Sequence, residues 1–234
     1  MAEEGEAQKV YRFVTETGEE KKQSRDYTGK ASAFYPNNDI YEGDFAQGIR
    51  EGRGKYLFAN GDKYEGEFRG NAKHGIGKMV YNGKGEYNGY WENGRRHGEG
   101  IFTYPNGDIY SGWWKFGEKE GTGTYLYKST GMKINGTWKQ SQIINGRWIY
   151  PNGTYYEGGF ANQKPNGEGR WVFKNGFEVD GVYDQVKKAP VEGEEPPPEE
   201  GAEDGAAPKN KFTLVWNSHT HIVKAANLVN SVEQ

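Results

Sequence analysis

Large apolar side chains and glycines alternate with polar residues along most of the chain. The triplet Tyr41-x-Gly43-x-Phe45 returns every 22 to 24 residues as a large residue, a glycine and an aromatic residue. Its later copies begin at Tyr64, Tyr87, Tyr110, Ile134, Tyr156 and Val179. A period of two places side chains on the same face of a β-strand. The pattern therefore predicts one strand per repeat, with its rings and its glycine on one face.

A second alternating block lies between successive triplets and consists of two glycines followed by two large residues. Blocks of this kind begin at Gly52, Gly75, Gly98, Gly121 and Gly167. Turn signals such as Asn60-Gly61 separate the two kinds of block, and Asn-Gly favours tight hairpin turns because both residues tolerate positive φ. We predict one β-hairpin per repeat, in an array of about seven units plus a half unit that begins at Gly29.

Rings and glycines on the same face can pack in a sheet that has no second layer, because a ring covers the bare glycine backbone of the neighbouring strand. The predicted fold class is all-β: an elongated, single-layer antiparallel meander with short disordered or extended termini and a C-terminal strand or helix. About 14 strands at roughly 4.8 Å each would span on the order of 65 to 70 Å. The residues predicted to pack the repeats are Tyr41, Gly43, Phe45, Tyr64, Gly66, Phe68, Tyr87, Gly89, Trp91, Tyr110, Gly112, Trp114, Trp138, Tyr156, Gly158 and Phe160.

Changes in composition divide the chain into four predicted segments. Residues 1–26 are acidic, residues 27–185 carry the repeats, residues 186–211 form a linker rich in Pro and Glu, and residues 212–234 form a C-terminal segment. In that last segment Phe212 to Trp216 has strand composition, whereas Ile222, Ala225, Ala226, Val229 and Val232 fall at helical spacing behind Ser218 or Thr220.

Two interpretations of the C-terminal segment remain open. It docks on a partner through Leu214, Trp216, Ile222 and Val229, or it caps its own sheet as a strand or a helix.

The composition supports a ring-packed structure without catalytic chemistry. The 234 residues include 36 Gly, 17 Tyr, 11 Phe and 7 Trp but no Cys, which removes disulfides and thiolate metal sites and suits a reducing compartment. Residues 27–183 hold 20 basic and 17 acidic side chains, and this excess of +3 is too small to predict nucleic-acid binding. His74 and His97 recur at the repeat spacing, so we assign them to the repeat. We expect no catalytic, cofactor or metal site, and no enzyme activity.

The motifs Asn60-Gly-Asp-x-Tyr64, Tyr64-Glu-Gly-Glu-Phe68 and Lys73-His-Gly-Ile-Gly77 are similar to the MORN repeat (membrane occupation and recognition nexus). Within that family, residues 121–183 resemble the radial spoke head proteins of motile cilia. The likeness is carried by Gly123-Thr-Tyr-Leu-Tyr127, by Gly136-Thr-Trp138, and by the stretch from Asn162 to Pro165 that leads to Trp171-Val-Phe173.

This resemblance implies a non-enzymatic scaffold subunit of the axonemal radial spoke head. Its place would be the cytoplasm and cytoskeleton of a cilium or flagellum, where it would contact other spoke head subunits and projections of the central apparatus in support of motility. A homodimer or heterodimer through the MORN sheets is compatible with that role.

The resemblance also implies an alternative, a MORN-type membrane or phosphoinositide-binding adaptor. The small positive excess of the repeats gives it little support, and we do not expect a membrane partner. Similar repeats also occur attached to methyltransferase or lipid kinase domains, but the segments outside the repeats are too short for such a domain.

Overall fold

All secondary structure in the described part of the chain is β-structure. The computed structural model describes residues 10–187 and 212–223, without the side chains of residues 220–223. It contains 17 strands: β1 (Arg12–Thr15), β2 (Glu20–Lys21), β3 (Gly29–Phe34), β4 (Ile40–Ala46), β5 (Ile49–Leu57), β6 (Lys63–Arg69), β7 (Ala72–Tyr81), β8 (Gly85–Glu92), β9 (Arg95–Thr103), β10 (Ile109–Lys115), β11 (Glu118–Leu126), β12 (Lys133–Lys139), β13 (Gln142–Ile149), β14 (Tyr155–Ala161), β15 (Lys164–Val172), β16 (Phe177–Lys187) and β17 (Phe212–Val223).

The strands form one antiparallel sheet, in which β3 to β17 follow the order of the chain. β1 pairs with both β2 and β3, and the later strands pair as a meander that ends with β16 against β17. The predicted all-β meander is therefore confirmed. Two compact units can be delimited within the described residues: unit 1 contains residues 10–105 and 113–118, and unit 2 contains residues 106–112, 119–187 and 212–223.

Two kinds of turn alternate along the meander. Within a hairpin both central turn residues have positive φ, for example Asn93 at 48° and Gly94 at 81°, as a type I′ turn requires. Between hairpins the loop is longer: Asn60 Oδ1 accepts a hydrogen bond from the Asp62 backbone N–H at 3.0 Å, and in the pair Asn60-Gly61 only Gly61 has positive φ. Asn-Gly therefore occurs in both kinds of connection, but it forms a tight type I′ turn only within hairpins.

The predicted N-terminal segment contributes two strands that the repeat pattern does not predict. β1 pairs with β3, and Phe13 on β1 is fully buried between Tyr27 and Phe45, with ring centroids 5.1 and 5.0 Å away. The edge strand β2 is only two residues long and consists of Glu20 and Lys21.

The C-terminal segment is a strand as far as it is described. β17 pairs with β16 along its whole length, with a bulge at Asp180/Gly181. Ser218 and Thr220 lie within this strand, so their prediction as helix N-caps is wrong. β17 thereby supplies the second strand of the seventh unit, whose own glycine block is missing. The predicted linker, apart from the last two residues of β16, and the helical positions from Ala225 to Val232 lie outside the described residues.

Candidate interaction surfaces

One face of the sheet is built from tyrosine rings that lie on glycines. Tyr41 is fully buried, and a Cβ added at Gly54 on the neighbouring strand would be 2.5 Å from its ring. The Tyr41 hydroxyl donates a hydrogen bond to the Asp44 carbonyl at 2.9 Å, and Tyr64, Tyr87 and Tyr156 donate to equivalent carbonyls. The close approach explains why a glycine lies under each of these tyrosine rings on the neighbouring strand, two residues from the position directly opposite, and the hydrogen bond satisfies the buried hydroxyl.

Rings of successive repeats contact each other nearly at right angles. Tyr41 lies 5.1 Å from Phe45 of its own strand and 5.0 Å from Phe68 of the next repeat, with interplanar angles of 88° and 80°. Such edge-to-face geometry is favourable for aromatic pairs. Every ring predicted to pack the repeats is buried: Tyr41, Phe45, Tyr64, Phe68, Tyr87, Trp91, Tyr110, Trp114, Trp138, Tyr156 and Phe160. Their glycines Gly43, Gly66, Gly89, Gly112 and Gly158 lie under the hydroxyl of the tyrosine two residues earlier.

A row of cations covers part of this ring face, and the sequence reasoning missed it. In unit 1 the second ring of a triplet pairs across the hairpin with a cation: Phe45 with Arg50, Phe68 with Lys73 and Trp91 with Arg96. Lys73 Nζ lies 4.3 Å from the centroid of Trp91, and Arg96 lies 4.4 Å from that of Trp114, within cation–π range. The 23-residue spacing of Arg50, Lys73 and Arg96 is the sequence signal that could have identified this row.

The equivalent positions in unit 2 begin with a cation and then become apolar. Lys119 lies 5.3 Å from the ring of Tyr110, whereas Ile143 pairs with Trp138 and Pro165 pairs with Phe160. All three of these side chains are buried. The common requirement is therefore coverage of the ring, which either a long cationic chain or an apolar chain can provide.

The Lys73 ammonium has an altered proton affinity. Burial, and to a smaller extent the positive charge of Arg96, lower the pKa of Lys73 to about 8. The charge of Asp62 acts in the opposite direction. The surrounding rings of Phe58, Tyr64 and Trp91 do not replace the hydration that the ammonium loses.

The other face of the sheet, called the polar face below, carries rows of charged side chains beside exposed apolar ones such as Ile76 and Tyr90 and, in unit 1, contains a groove of about 960 Å³. One row of its side chains alternates in charge from strand to strand: Glu42, Lys55, Glu65 and Lys78. Lys55 pairs with Glu65 at 3.3 Å, and both side chains are about two-thirds exposed. Exposed pairs of this kind contribute little to stability. Their charges therefore remain available to a binding partner.

The polar face of unit 2 carries a similar row of charges. Arg147 Nε lies 3.1 Å from a Glu157 carboxylate oxygen, and Arg170 contacts Glu178 at 2.8 Å and also pairs with Asp180. The hydrogen bond that Arg147 donates to Glu157 raises the pKa of Arg147, and the one that Arg170 donates to Asp180 raises the pKa of Arg170. The face thus presents fixed charges of alternating sign rather than a patch of one sign.

The residues predicted to dock on a partner are only partly within the described structure. Leu214 and Trp216 are half-buried on β17. The Trp216 ring lies 4.8 Å from Tyr183 and 6.3 Å from Tyr156, so it packs on its own sheet. Ile222 lies in β17, but its side chain is not described, and Val229 lies outside the described residues.

The described residues contain neither a metal centre nor a membrane helix. No group of three or more His, Asp or Glu side chains in residues 10–187 and 212–219 could hold a metal ion. In the part of the chain that the structure describes, no helix is long and apolar enough to cross a bilayer. The surfaces left to consider are the polar face and the edges of the sheet.

Sequence comparison identifies five MORN repeats in the chain. The MORN repeat model matches residues 41–63, 64–86, 87–109, 110–132 and 156–177. It does not match the predicted units that begin at Ile134 and Val179, although both form strands in the structure. No curated protein is significantly similar to the chain.

Several solved structures are similar to this chain at low sequence identity. The SAS-4 (dCPAP) TCP domain of Drosophila melanogaster, in complex with a proline-rich motif of Ana2 (dSTIL), is 19% identical, with 68% of this chain and 83% of that chain covered and a TM-score of 0.38. The TCP10c domain of Drosophila melanogaster Sas-4 is 18% identical, with 68% and 91% covered and a TM-score of 0.35. The TCP10 domain of Danio rerio CPAP, in complex with a peptide of Danio rerio STIL, is 14% identical, with 66% and 84% covered and a TM-score of 0.28.

Proposed function

Because the chain carries five MORN repeats, which suggest a protein-interaction scaffold, we propose that it is a non-enzymatic scaffold subunit of the axonemal radial spoke head. In this proposal it binds other spoke head subunits and takes part in the contact with projections of the central apparatus that ciliary or flagellar motility requires.

The observation that carries the proposal is the resemblance of residues 121–183 to spoke head proteins. Two of the motifs behind this resemblance contact each other, since Trp138 Nε1 donates a hydrogen bond to the Gly123 carbonyl at 3.1 Å. In the third motif Trp171 donates to the Tyr183 hydroxyl at 3.2 Å. The resemblance therefore includes residues that pack the ring face of unit 2. The side chains on the polar face of the same strands do not take part in this packing, so they can provide specificity for a partner.

The alternating charges of the polar face suit a protein partner better than a lipid surface. Fixed charges of both signs specify the register of a protein–protein contact and suppress wrong partners. An anionic bilayer would instead be attracted by a cluster of basic residues. The cations Arg50, Lys73 and Arg96 do not provide one, because they pack over the rings of the other face.

Capture from isolated axonemes tests the proposal directly. The immobilised full chain should retain spoke head subunits from a salt extract of motile axonemes, and it should not float with phosphoinositide-containing liposomes. Recovery with the liposomes without any spoke head subunit would contradict the proposal and support the membrane adaptor.

A charge-exchange variant makes the test specific for the polar face of unit 2. The double substitution Arg147→Glu with Glu157→Arg keeps the internal ion pair but reverses the charge pattern that a partner meets. We expect it to fold normally by circular dichroism and to retain at most a tenth of the spoke head subunits. The matched control is Lys55→Glu with Glu65→Lys on unit 1, which reverses a pair of the same type. Equal capture by the Arg147/Glu157 variant and the wild type would exclude this surface.

A further inference from the structure

The two edge strands of the sheet differ in length and in charge. At the N-terminal edge β2 has two residues, both charged, and Phe13 on the adjacent β1 is fully buried. Short, charged edge strands are a common protection against pairing with another chain. This edge is therefore closed to strand addition.

The C-terminal edge has none of these protections. β17 is 12 residues long, and its sequence FTLVWNSHTHIV contains no Asp, Glu, Lys, Arg, Pro or Gly. Its partner within the described residues is β16 alone, so one side of its backbone has no described strand beside it. A long edge strand without charge or proline is a template for strand addition.

The ring packing is also incomplete at this edge. Trp216 lies on Gly181, as the rings inside the repeats lie on glycines, and contacts Tyr183. Yet Trp216 is only half-buried, whereas Trp138 in the interior of the same unit is 3% exposed. Val215 on the opposite face of β17 is 39% exposed. A further strand beside β17 would cover apolar surface on both faces.

From these observations we propose that β17 is a dimerisation edge, which pairs antiparallel with β17 of a second copy of this chain. Antiparallel pairing of a strand with its own copy satisfies a two-fold axis and leaves no further edge of that kind open, so the assembly stops at a dimer. The absence of charge on β17 removes the like-charge repulsion that self-pairing normally brings. A partner strand of another protein would gain no corresponding advantage from an uncharged edge.

The first test is the oligomeric state of the full chain. Sedimentation velocity over a concentration series should show a monomer–dimer equilibrium. Val215→Lys places a charge on the exposed side of the edge and should weaken dimerisation at least tenfold without changing the circular dichroism spectrum. The matched control is Ile144→Lys, because Ile144 is 43% exposed on β13, which has paired strands on both sides, β12 and β14. It should leave the dimer intact.

The second test locates the pairing. The chain has no cysteine, so a single introduced cysteine reports one position. Among Thr213→Cys, Val215→Cys and Asn217→Cys, disulfide-linked dimer should accumulate fastest at the position nearest the two-fold axis and more slowly at the others. The reason is that, in an antiparallel pair, the two copies of a residue lie farther apart the farther that residue is from the axis. Ile144→Cys should form none.

Three outcomes would overturn the proposal. The full chain is monomeric at every concentration, the Val215→Lys and Ile144→Lys variants dimerise equally, or disulfide formation does not depend on the position of the cysteine along β17. A chain truncated after Val223 distinguishes another occupant of the edge: if the wild type is monomeric but the truncated chain dimerises, the residues after Val223 occupy the edge.

Discussion

Adding one methyl group under a buried tyrosine ring should destabilise the repeat array measurably. In Gly54→Ala the new Cβ would lie 2.5 Å from Cε2 and the hydroxyl oxygen of Tyr41, although carbon atoms in ordinary contact are about 3.5 to 4.0 Å apart. The ring would have to move by roughly 1 Å. It cannot do so freely, because Phe45 and Phe68 lie at 5.1 and 5.0 Å from its centroid.

The expected magnitude combines three effects. Overpacking of a tight core costs about 1 to 3 kcal/mol. Displacement of the ring also weakens the 2.9 Å hydrogen bond from Tyr41 to Asp44, which contributes about 1 kcal/mol. Alanine recovers about 0.5 to 1 kcal/mol of backbone entropy, and the position tolerates it because Gly54 does not have positive φ. We expect a net loss of about 2 kcal/mol in the free energy of unfolding.

Urea denaturation followed by tryptophan fluorescence, with a double-mutant cycle, measures the effect and its cause. Tyr41→Leu removes the ring that the new Cβ would meet, so Gly54→Ala should cost at least about 1 kcal/mol less in the Tyr41→Leu background. Gly70→Ala is the control, because nothing lies within 4 Å of its added Cβ and its cost is backbone strain at φ +56°. Its effect should be the same in both backgrounds. If Gly54→Ala and Tyr41→Leu were additive within about 0.5 kcal/mol, the ring-on-glycine explanation would be refuted.

Three further predictions concern other parts of the chain. Trp138→Ala should lower the free energy of unfolding by roughly 3 kcal/mol, because it empties a buried site and removes the hydrogen bond to Gly123. The surface change Glu118→Ala should lower it by less than about 0.5 kcal/mol, and equal urea midpoints of the two variants would mean that Trp138 is not packed. Because the pKa of Lys73 is lowered to about 8 in the folded state, the unfolded state binds more protons than the folded state above that pH, and the free energy of unfolding should rise between pH 8 and 9.5. Lys73→Met should reduce this slope, and an unchanged slope would contradict burial of the ammonium. Truncation after Lys209 removes β17 and uncovers Tyr183, so the array should keep its β-type circular dichroism but melt several degrees lower; an unchanged melting temperature would mean that β17 does not cap the sheet.

The repeat pattern determined most of the fold of this protein. Alternation of large residues and glycines predicts strands because a strand has a side-chain period of two, and the turn residues divide the strands into hairpins. The pairing of a ring with a glycine also followed from the sequence, since both lie on one face. These are local properties that repeat every 23 residues or so, and a local pattern can be read without knowledge of the tertiary structure.

The positions that the sequence did not reveal depend on neighbours distant in the chain. Arg50, Lys73 and Arg96 look like exposed charges, and only the register that sets each opposite a ring makes them half-buried or buried. Phe13 gives no repeat signal, because its burial arises from pairing of β1 with β3.

The C-terminal segment shows the same limit most clearly. The helical spacing that begins behind Ser218 or Thr220 does not make the described residues helical: up to Val223 the segment is a strand, because the open backbone N–H and C=O groups of β16 are satisfied by a neighbouring strand and not by a helix. The sequence determined the repeated unit, whereas the tertiary structure decided what completes and covers that unit at each end of the sheet.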